Sequence, residues 1–193
     1  MRKLHAATLV TLDGVMQDPG GFGESDFGGW AGPHFTEEAV RDAVDQLAAA
    51  DTFLCGRVTY ELLSRAWSGN TGEYLGVINK MPKLVASTTL REPLEWNATL
   101  IKGDVAENLT ALKRRPGKDI VMYGSATLMR TLMRHNLVDT FKISVFPMVL
   151  GQGTRLFPEG FTATTLQLAD VKTLRSGVTI LTYQHQQAPQ AAA

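Results

Sequence analysis

Apolar and polar positions along this chain fall into blocks whose period changes several times. The run from Leu4 to Leu12 is almost entirely apolar, which predicts a buried strand. Thr36 is a good N-cap and is followed by two glutamates, so a helix is expected to begin there. The residues after it recur at helical spacing and define its predicted buried face: Val40, Ala43, Val44, Leu47 and Ala48.

Strands and helices are then expected to alternate as far as His135. The apolar runs predict strands at Phe53–Cys55, Lys83–Ser87, Thr99–Ile101 and Ile120–Tyr123, with helices at Val58–Arg65, Asp104–Arg115 and Thr127–His135. Beyond Val138 only strands are expected: Phe141–Val149, then a hairpin of Leu166–Thr173 and Val178–Tyr183. This order predicts an α/β fold with a mixed, mostly parallel central sheet between helices and a C-terminal antiparallel hairpin.

Composition and charge narrow the class of protein. The 193 residues, 44% of them hydrophobic and 20% charged, suit one core, so we expect a single domain over residues 2–184 and a flexible tail over 185–193. The 19 basic and 19 acidic side chains cancel, which argues against a nucleic-acid partner. A single cysteine, Cys55, excludes an internal disulfide and a Cys-rich metal site. Without a signal peptide or a membrane-spanning run, a cytoplasmic protein is expected.

Glycine is concentrated between the first strand and the first helix. Residues 17–34 contain Gly20, Gly21, Gly23, Gly28, Gly29 and Gly32. A loop of this length in a compact domain is usually a lid or a binding loop, or else it is disordered. Phe22, Phe27 and Trp30 argue against plain disorder, because disordered linkers are poor in aromatic residues.

Small and hydroxyl residues follow three of the predicted strands. These motifs are Gly56-Arg57-Val58-Thr59, Ser87-Thr88 and Gly124-Ser125-Ala126. The carboxyl ends of parallel strands bind ligands in such sheets, and glycine next to a helix N-terminus admits a phosphate. The alternative is that the two glycines only permit tight turns and that Arg57 is simply exposed. Three such motifs on one sheet edge favour a phosphate-rich ligand, although the usual dinucleotide fingerprint is absent.

Several segments match one known family in combination. They are Thr11–Met16, Gly56–Glu61, Lys83–Leu90, Gly124–Ala126, Leu137–Asp139 and Pro147–Gly153. Together they resemble the dihydrofolate-reductase-like family that includes the reductase domain of riboflavin biosynthesis, and the resemblance covers nearly the whole chain. It implies a three-layer α/β/α fold that binds NADPH across the strand ends.

The resemblance also implies roles for individual residues. Gly56, Arg57 and Thr59 would open a helix onto the cofactor phosphates, Ser87 and Thr88 would lie with Arg57 near the adenosine 2′-phosphate, and Gly124, Ser125 and Ala126 would cradle the pyrophosphate. The chemistry agrees, because a 2′-phosphate favours arginine and hydroxyls, whereas NAD selection usually uses an acidic residue that Ala86–Leu90 lacks. NADPH is therefore the expected cofactor.

The sequence defines the part of the site that would bind the substrate less clearly than the part that would bind the cofactor. The resemblance places the nicotinamide near Ala7–Met16, so Phe22, Trp30 and Phe35 are candidates to enclose a flat heteroaromatic substrate, or else they only pack the loop. Asp13 is the carboxylate nearest the expected hydride transfer, where it would either relay a proton or order the loop.

The sequence departs from members of this family in two ways, of which the first bears on the substrate and the second on a zinc deaminase domain. Folate reductases hold a pterin by an acidic residue on the pocket face of the first long helix, whereas Glu38, Asp42 and Asp45 are predicted here to point away from the apolar face, with Glu37 at its border. Folate reduction is therefore not expected. The zinc deaminase domain of the bifunctional riboflavin enzyme needs several cysteines, which this sequence lacks.

Two hypotheses follow from the sequence. The first is an NADPH-dependent reductase that transfers a hydride to a small planar heterocycle or a related carbonyl or imine compound of pteridine or pyrimidine type. The second is a nucleotide-binding module without catalysis, with a regulatory or assembly role. A homodimer is expected in either case, because Phe141–Leu150 and the hairpin offer more apolar strand than one small sheet readily buries.

Overall fold

The structure is a computed structural model that describes residues 1–185. The predicted tail lies outside the described residues, except for His185. Eight strands occur in the described range: β1 (Leu4–Thr11), β2 (Ala50–Gly56), β3 (Lys83–Ala86), β4 (Ala98–Leu100), β5 (Asp119–Tyr123), β6 (Thr140–Phe146), β7 (Leu166–Thr173) and β8 (Thr179–His185). The five α-helices are α1 (Glu37–Ala48), α2 (Arg57–Trp67), α3 (Glu73–Lys80), α4 (Val105–Lys113) and α5 (Ala126–Arg134).

All eight strands belong to one sheet, in the order β4-β3-β2-β5-β1-β6-β8-β7. The pairs from β4 to β6 are parallel, whereas β8 is antiparallel to both β6 and β7. The predicted mixed sheet with a C-terminal antiparallel hairpin is therefore confirmed. Because the first six strands are parallel, their carboxyl ends lie along the same edge of the sheet.

Helices cover both faces of the sheet. Successive residues of a strand point to opposite faces, so Leu54 packs in a core with α4 and α5, and its neighbours Phe53 and Cys55 pack in a second core with α1, α2 and α3. A third cluster joins Trp30 of the glycine-rich loop to Phe146 and Ile180 at the ends of β6 and β8. These layers confirm the α/β/α architecture.

The structure departs from the sequence prediction in two elements. Helix α3 was not predicted, because its eight residues are interrupted by Gly76 and its N-cap is Gly72 instead of a Ser, Thr, Asp or Asn. The strand predicted for Phe141–Val149 ends at Phe146, just before Pro147, which has no N–H to donate to a neighbouring strand. Among the described residues, no helix combines the length and apolar character needed to cross a membrane.

Candidate functional site

The strand motifs predicted from the sequence open onto one cavity at the carboxyl ends of the parallel strands. This strand-end cavity has a volume of about 1420 Å³. Its lining includes every residue predicted to bind a cofactor: Gly56, Arg57, Thr59, Ser87, Thr88, Gly124, Ser125 and Ala126. The topology accounts for this convergence, because β2, β3 and β5 are neighbours and end at the same edge.

Hydroxyl groups join the turn after β2 to the turn after β5. The Ser125 Oγ accepts a hydrogen bond from the Gly56 N–H at 2.9 Å and lies 3.0 Å from the Thr59 Oγ1. The Thr59 Oγ1 in turn accepts a hydrogen bond from the Ser125 N–H at 3.2 Å. The two turns are therefore held side by side at the cavity wall.

Helices α2 and α5 both begin at these joined turns. Their N-caps, Gly56 and Ser125, provide no side-chain hydrogen bond to the first turn, because glycine has no side chain and the Ser125 hydroxyl is directed to the neighbouring turn. By contrast, Asp104 caps α4 by accepting a hydrogen bond from the Glu107 N–H at 2.8 Å. The first-turn N–H groups of α2 and α5 thus form two adjacent donor sets suited to phosphate oxygens.

The backbone at the β5 turn has an uncommon conformation. Gly124 and Ser125 both have φ of +53°. A Cβ built on Gly124 would make an ordinary van der Waals contact with the Thr59 Oγ1 at 3.6 Å, so the protein itself would tolerate a methyl group there. The backbone conformation, together with the position of Gly124 in the cavity lining, fits a turn over which a ligand approaches the backbone.

Cationic and hydroxyl groups lie at the end of the cavity formed by β2 and β3. The Arg57 guanidinium pairs with Glu61 one helical turn away at 2.8 Å, and 45% of the arginine side chain is exposed. The Ser87 Oγ accepts hydrogen bonds from the N–H groups of Thr89 and Leu90, at 3.2 and 3.0 Å. Thr88 is exposed. These groups form a set that matches a phosphate monoester.

Asp13 is outside the set of residues that line the cavity. Its carboxylate accepts hydrogen bonds from the Thr11 hydroxyl at 2.6 Å and from the N–H groups of Leu150 and Gly151 at 3.2 and 2.9 Å. The hydrogen bond from Thr11, with the two backbone donors, lowers the pKa of Asp13 to about 2. These contacts favour the second role considered from the sequence, in which Asp13 orders the turn.

The three predicted substrate-pocket aromatics occupy different environments. Phe22 and Phe35 line the cavity, and their rings make edge contacts with Trp67 and Tyr74, respectively. Trp30 is buried under the loop, where its Nε1–H donates to the Gln17 carbonyl at 2.8 Å and its ring contacts Phe146. Trp30 is therefore placed to hold the loop down, and it is absent from the cavity lining.

A charged cluster in the cavity wall was missed by the sequence reasoning. Asp42 of α1 lines the cavity and pairs with Lys142 of β6 at 2.5 Å and with Lys172 of β7 at 3.0 Å. Burial alone would raise the pKa of Asp42, but the hydrogen bonds from the two lysines outweigh it and lower the pKa. The prediction that Asp42 points away from the pocket is therefore wrong. A helical wheel does not show this, because the cavity extends from the apolar residues Val40 and Ala43 of α1 onto the flank that carries Asp42.

The chain is similar to one known protein family and to two relatives from Bacillus subtilis. The family model described as the RibD C-terminal domain matches residues 2–180. The chain is 32% identical to the uncharacterized protein YyaP of Bacillus subtilis over 187 residues, which cover 94% of each protein. It is also 39% identical over 61 residues to the uncharacterized protein YwjB of the same organism, about a third of either chain.

Solved structures with the same fold are more distant in sequence. A putative riboflavin biosynthesis protein from Shewanella sp. PV-4 has a TM-score of 0.69 at 19% identity and covers 96% of this chain and 99% of its own. A pyrimidine reductase-like protein from Corynebacterium diphtheriae has a TM-score of 0.67 at 13% identity, with 97% and 93% covered. At these identities the similarity shows the fold alone, which is the dihydrofolate-reductase-like fold.

Proposed function

The chain belongs to the RibD C-terminal domain family, and from this membership we propose that it is a reductase that uses NADPH as its hydride donor. The proposed substrate is a small planar heterocycle, or a related carbonyl or imine compound of pteridine or pyrimidine type. The observation that carries the proposal is the pair of open helix N-termini, α2 and α5, joined by the Thr59–Ser125 hydrogen bonds beside Arg57.

The residues of the cavity fit the parts of a phosphorylated dinucleotide. In the proposed arrangement, the α5 N-terminus and Gly124 receive the pyrophosphate, because the uncapped N–H donors of α5 and a glycine of the cavity lining coincide there. Arg57, Ser87 and Thr88 receive the 2′-phosphate, since a guanidinium and hydroxyls form strong charge-assisted hydrogen bonds to such a group. When bound, the nicotinamide would supply a hydride, and the protein would supply orientation and a dry pocket.

The extent of the cavity favours a reductase over a nucleotide-binding module without catalysis. Beyond the phosphate region, the lining continues past Ala7 to Lys142, Asp42 and Phe35. A module that holds only a nucleotide has no need of this second region. A reductase needs it to hold a substrate against the hydride donor.

The first test of the proposal is cofactor selectivity. Calorimetric titration should show tighter binding of NADPH than of NADH, because one charge-assisted hydrogen bond to the 2′-phosphate contributes about 1.5–3 kcal/mol, or roughly ten-fold or more. Arg57→Ala should remove much of that preference. Arg65→Ala, an exposed arginine on the same helix that does not line the cavity, is the matched control and should leave it unchanged. Equal affinities in the unaltered protein would contradict the proposal.

The second test is turnover. Pteridine, pyrimidine and flavin-related compounds would be assayed by the loss of NADPH absorbance, with NADPH binding measured separately on the same protein. A reductase oxidises NADPH only when its substrate is present. NADPH binding without turnover of any compound class would instead support the binding module.

A further inference from the structure

We infer that Lys142, held in place by Asp42, binds a negatively charged oxygen of the substrate at the end of the cavity away from the phosphate region. The inference rests on the proposed function, because it names the chemical class of substrate for the same site. It predicts planar substrates that carry a carboxylate or a similar anionic oxygen. It also predicts discrimination against substrates that present an amidine or a guanidine-like edge.

The sheet register places Lys142 beside a gap in the cavity floor. Ala7 of β1 pairs with Tyr123 of β5 on one side and with Lys142 of β6 on the other. Residues paired in this way share one face of the sheet, and here the central member has only a methyl group. A flat molecule placed over Ala7 would therefore lie between the Tyr123 ring and the Lys142 side chain.

A free carboxylate in such a pocket would bind an amidine or guanidine-like edge of the substrate, but Asp42 is not free to do so. Its Oδ2 accepts from Lys142 and its Oδ1 from Lys172, so each oxygen already has a cationic partner. An amidine or guanidine-like edge needs two free oxygens on one carboxylate to form a bidentate pair. To bind such an edge, this site would have to break both ion pairs, which disfavours that class of ligand.

Lys142 retains hydrogen-bonding capacity toward the cavity. A lysine ammonium carries three N–H donors, and among the described residues its hydrogen bond goes to the Asp42 Oδ2. Of the two lysines that pair with Asp42, only Lys142 lines the cavity, whereas Lys172 lies near two further carboxylates, Glu38 and Asp45. Ser144 lies two residues along β6 on the same face and also lines the cavity, so a hydroxyl is available beside the ammonium.

The local environment strengthens attraction to an anion. The Lys142 side chain is 19% exposed, and the neighbouring lining contains Val40, Ala43 and Phe146. Charge-assisted hydrogen bonds are stronger in surroundings that water enters poorly. The arrangement gives the substrate end of the cavity an anchor for an anionic oxygen.

Three pyrimidines that differ at their polar edges test this inference. Orotate carries a carboxylate, uracil has the same ring without it, and 2,4-diaminopyrimidine presents an amidine-like edge. Each would be titrated calorimetrically into the protein saturated with NADP⁺. We expect orotate to bind at least ten-fold more tightly than uracil, and 2,4-diaminopyrimidine to bind most weakly.

Two variants distinguish a binding role of Lys142 from a purely structural one. Lys142→Met keeps the length of the side chain and removes the charge, so orotate should lose about ten-fold or more in affinity while uracil changes little. Lys172→Met also removes an ion pair from Asp42, but at a residue outside the cavity lining, and should change orotate affinity by less than about three-fold. Equal losses in both variants would indicate a structural role and overturn the inference.

The remaining outcomes separate the inference from the proposed function. NADP⁺ binding together with an orotate affinity no greater than that of uracil would overturn the role of Lys142 and leave the reductase proposal standing. Undetectable orotate binding at millimolar concentration to the NADP⁺-loaded protein would likewise overturn it. Failure of the unaltered protein to bind NADPH or NADP⁺ would overturn the proposed function itself.

Discussion

Substitution of Gly124 distinguishes a turn that binds a ligand from a turn that only connects β5 to α5. The φ of +53° at Gly124 is costly for a residue with a Cβ, so Gly124→Ala should destabilise the protein by about 1–2 kcal/mol in either case. Only a ligand-binding turn also loses affinity, because the added methyl group occupies the space beside the α5 N-terminus that phosphate oxygens need. We expect weaker binding of NADPH and NADH alike, measured calorimetrically, since both contain the pyrophosphate.

A second glycine provides the control for this experiment. Gly160 has φ of +74°, with nothing within 4 Å of a built Cβ, and it does not line the cavity. Gly160→Ala should therefore carry a similar backbone cost and leave cofactor affinity intact. A folded Gly124→Ala protein with normal affinity for both cofactors would remove this turn from the site.

Asp13 is predicted to order the turn after β1. Its pKa is lowered to about 2 from 3.8, so its stabilising contribution is complete above about pH 4 and is lost as the pH falls through the folded-state value. Asp13→Asn lacks this titration. The difference in free energy of unfolding between the two proteins should therefore shrink between about pH 4 and pH 2, measured by urea unfolding.

The same variant tests the alternative role as a proton relay. An ordering residue affects stability above all, whereas a relay affects the rate of turnover after the cofactor has bound. Loss of turnover in Asp13→Asn with unchanged stability and unchanged NADPH affinity would contradict the ordering role.

At the scale of elements, a buried lysine forms hydrogen bonds to the C-terminal end of helix α3. The Lys83 Nζ donates to the carbonyls of Ile78 and Asn79 at 2.7 and 3.1 Å and lies 4.3 Å from the centre of the Trp96 ring. The last carbonyls of a helix lack partners within the helix, so this ammonium acts as its C-terminal cap. Burial lowers the pKa of Lys83 to about 8.

Replacing Lys83 should change the free energy of unfolding in two ways, through the lost hydrogen bonds to α3 and through the removal of a buried charge. Lys83→Met should destabilise the protein, because the Asn79 carbonyl loses the ammonium donor and the Ile78 carbonyl keeps only the Met81 N–H. Since the folded-state pKa lies below the usual 10.5, the unfolded state binds more protons between about pH 8 and 10.5, and the lysine protein gains stability relative to the variant across that range. Urea unfolding at several pH values measures the difference. A difference that stays constant or falls with rising pH would contradict the lowered pKa.

The sequence predicted those parts of the site that depend on neighbouring residues in the chain, and missed those that depend on contacts between distant residues. The turns at Gly56 and Gly124 were predictable, because glycine and hydroxyl residues at a strand end form a local pattern. The ion pair of Asp42 and Lys142 joins residues 100 positions apart, and no local pattern reports it. The sequence leaves both roles of Trp30 open, because composition does not distinguish an aromatic that lines a cavity from one that packs under a loop.

For the whole molecule, the remaining expectation is a homodimer. The segment Phe141–Leu150 contributes less to such an interface than its sequence suggests, since Phe141, Ile143 and Phe146 are buried within the chain itself. Exposed apolar side chains occur at several places, and two of them, Leu168 and Val171, are 49% and 50% exposed on β7, which is the edge strand of the sheet. Edge strands with exposed apolar side chains favour pairing with another chain, and symmetric dimers are the commonest oligomers.

The prediction is a dimer in solution that is formed through β7. Light scattering at micromolar concentration should give the mass of two chains, and Val171→Lys should give the mass of one, because a charge placed in an apolar contact must lose its hydration without gaining a partner. Gln167→Lys adds the same charge to the same strand at a position that is already polar and exposed, so it should leave the dimer intact. A monomeric mass for the unaltered protein would rule out the dimer. Dissociation by both variants would show that added charge on this strand, rather than loss of an apolar contact at Val171, separates the chains.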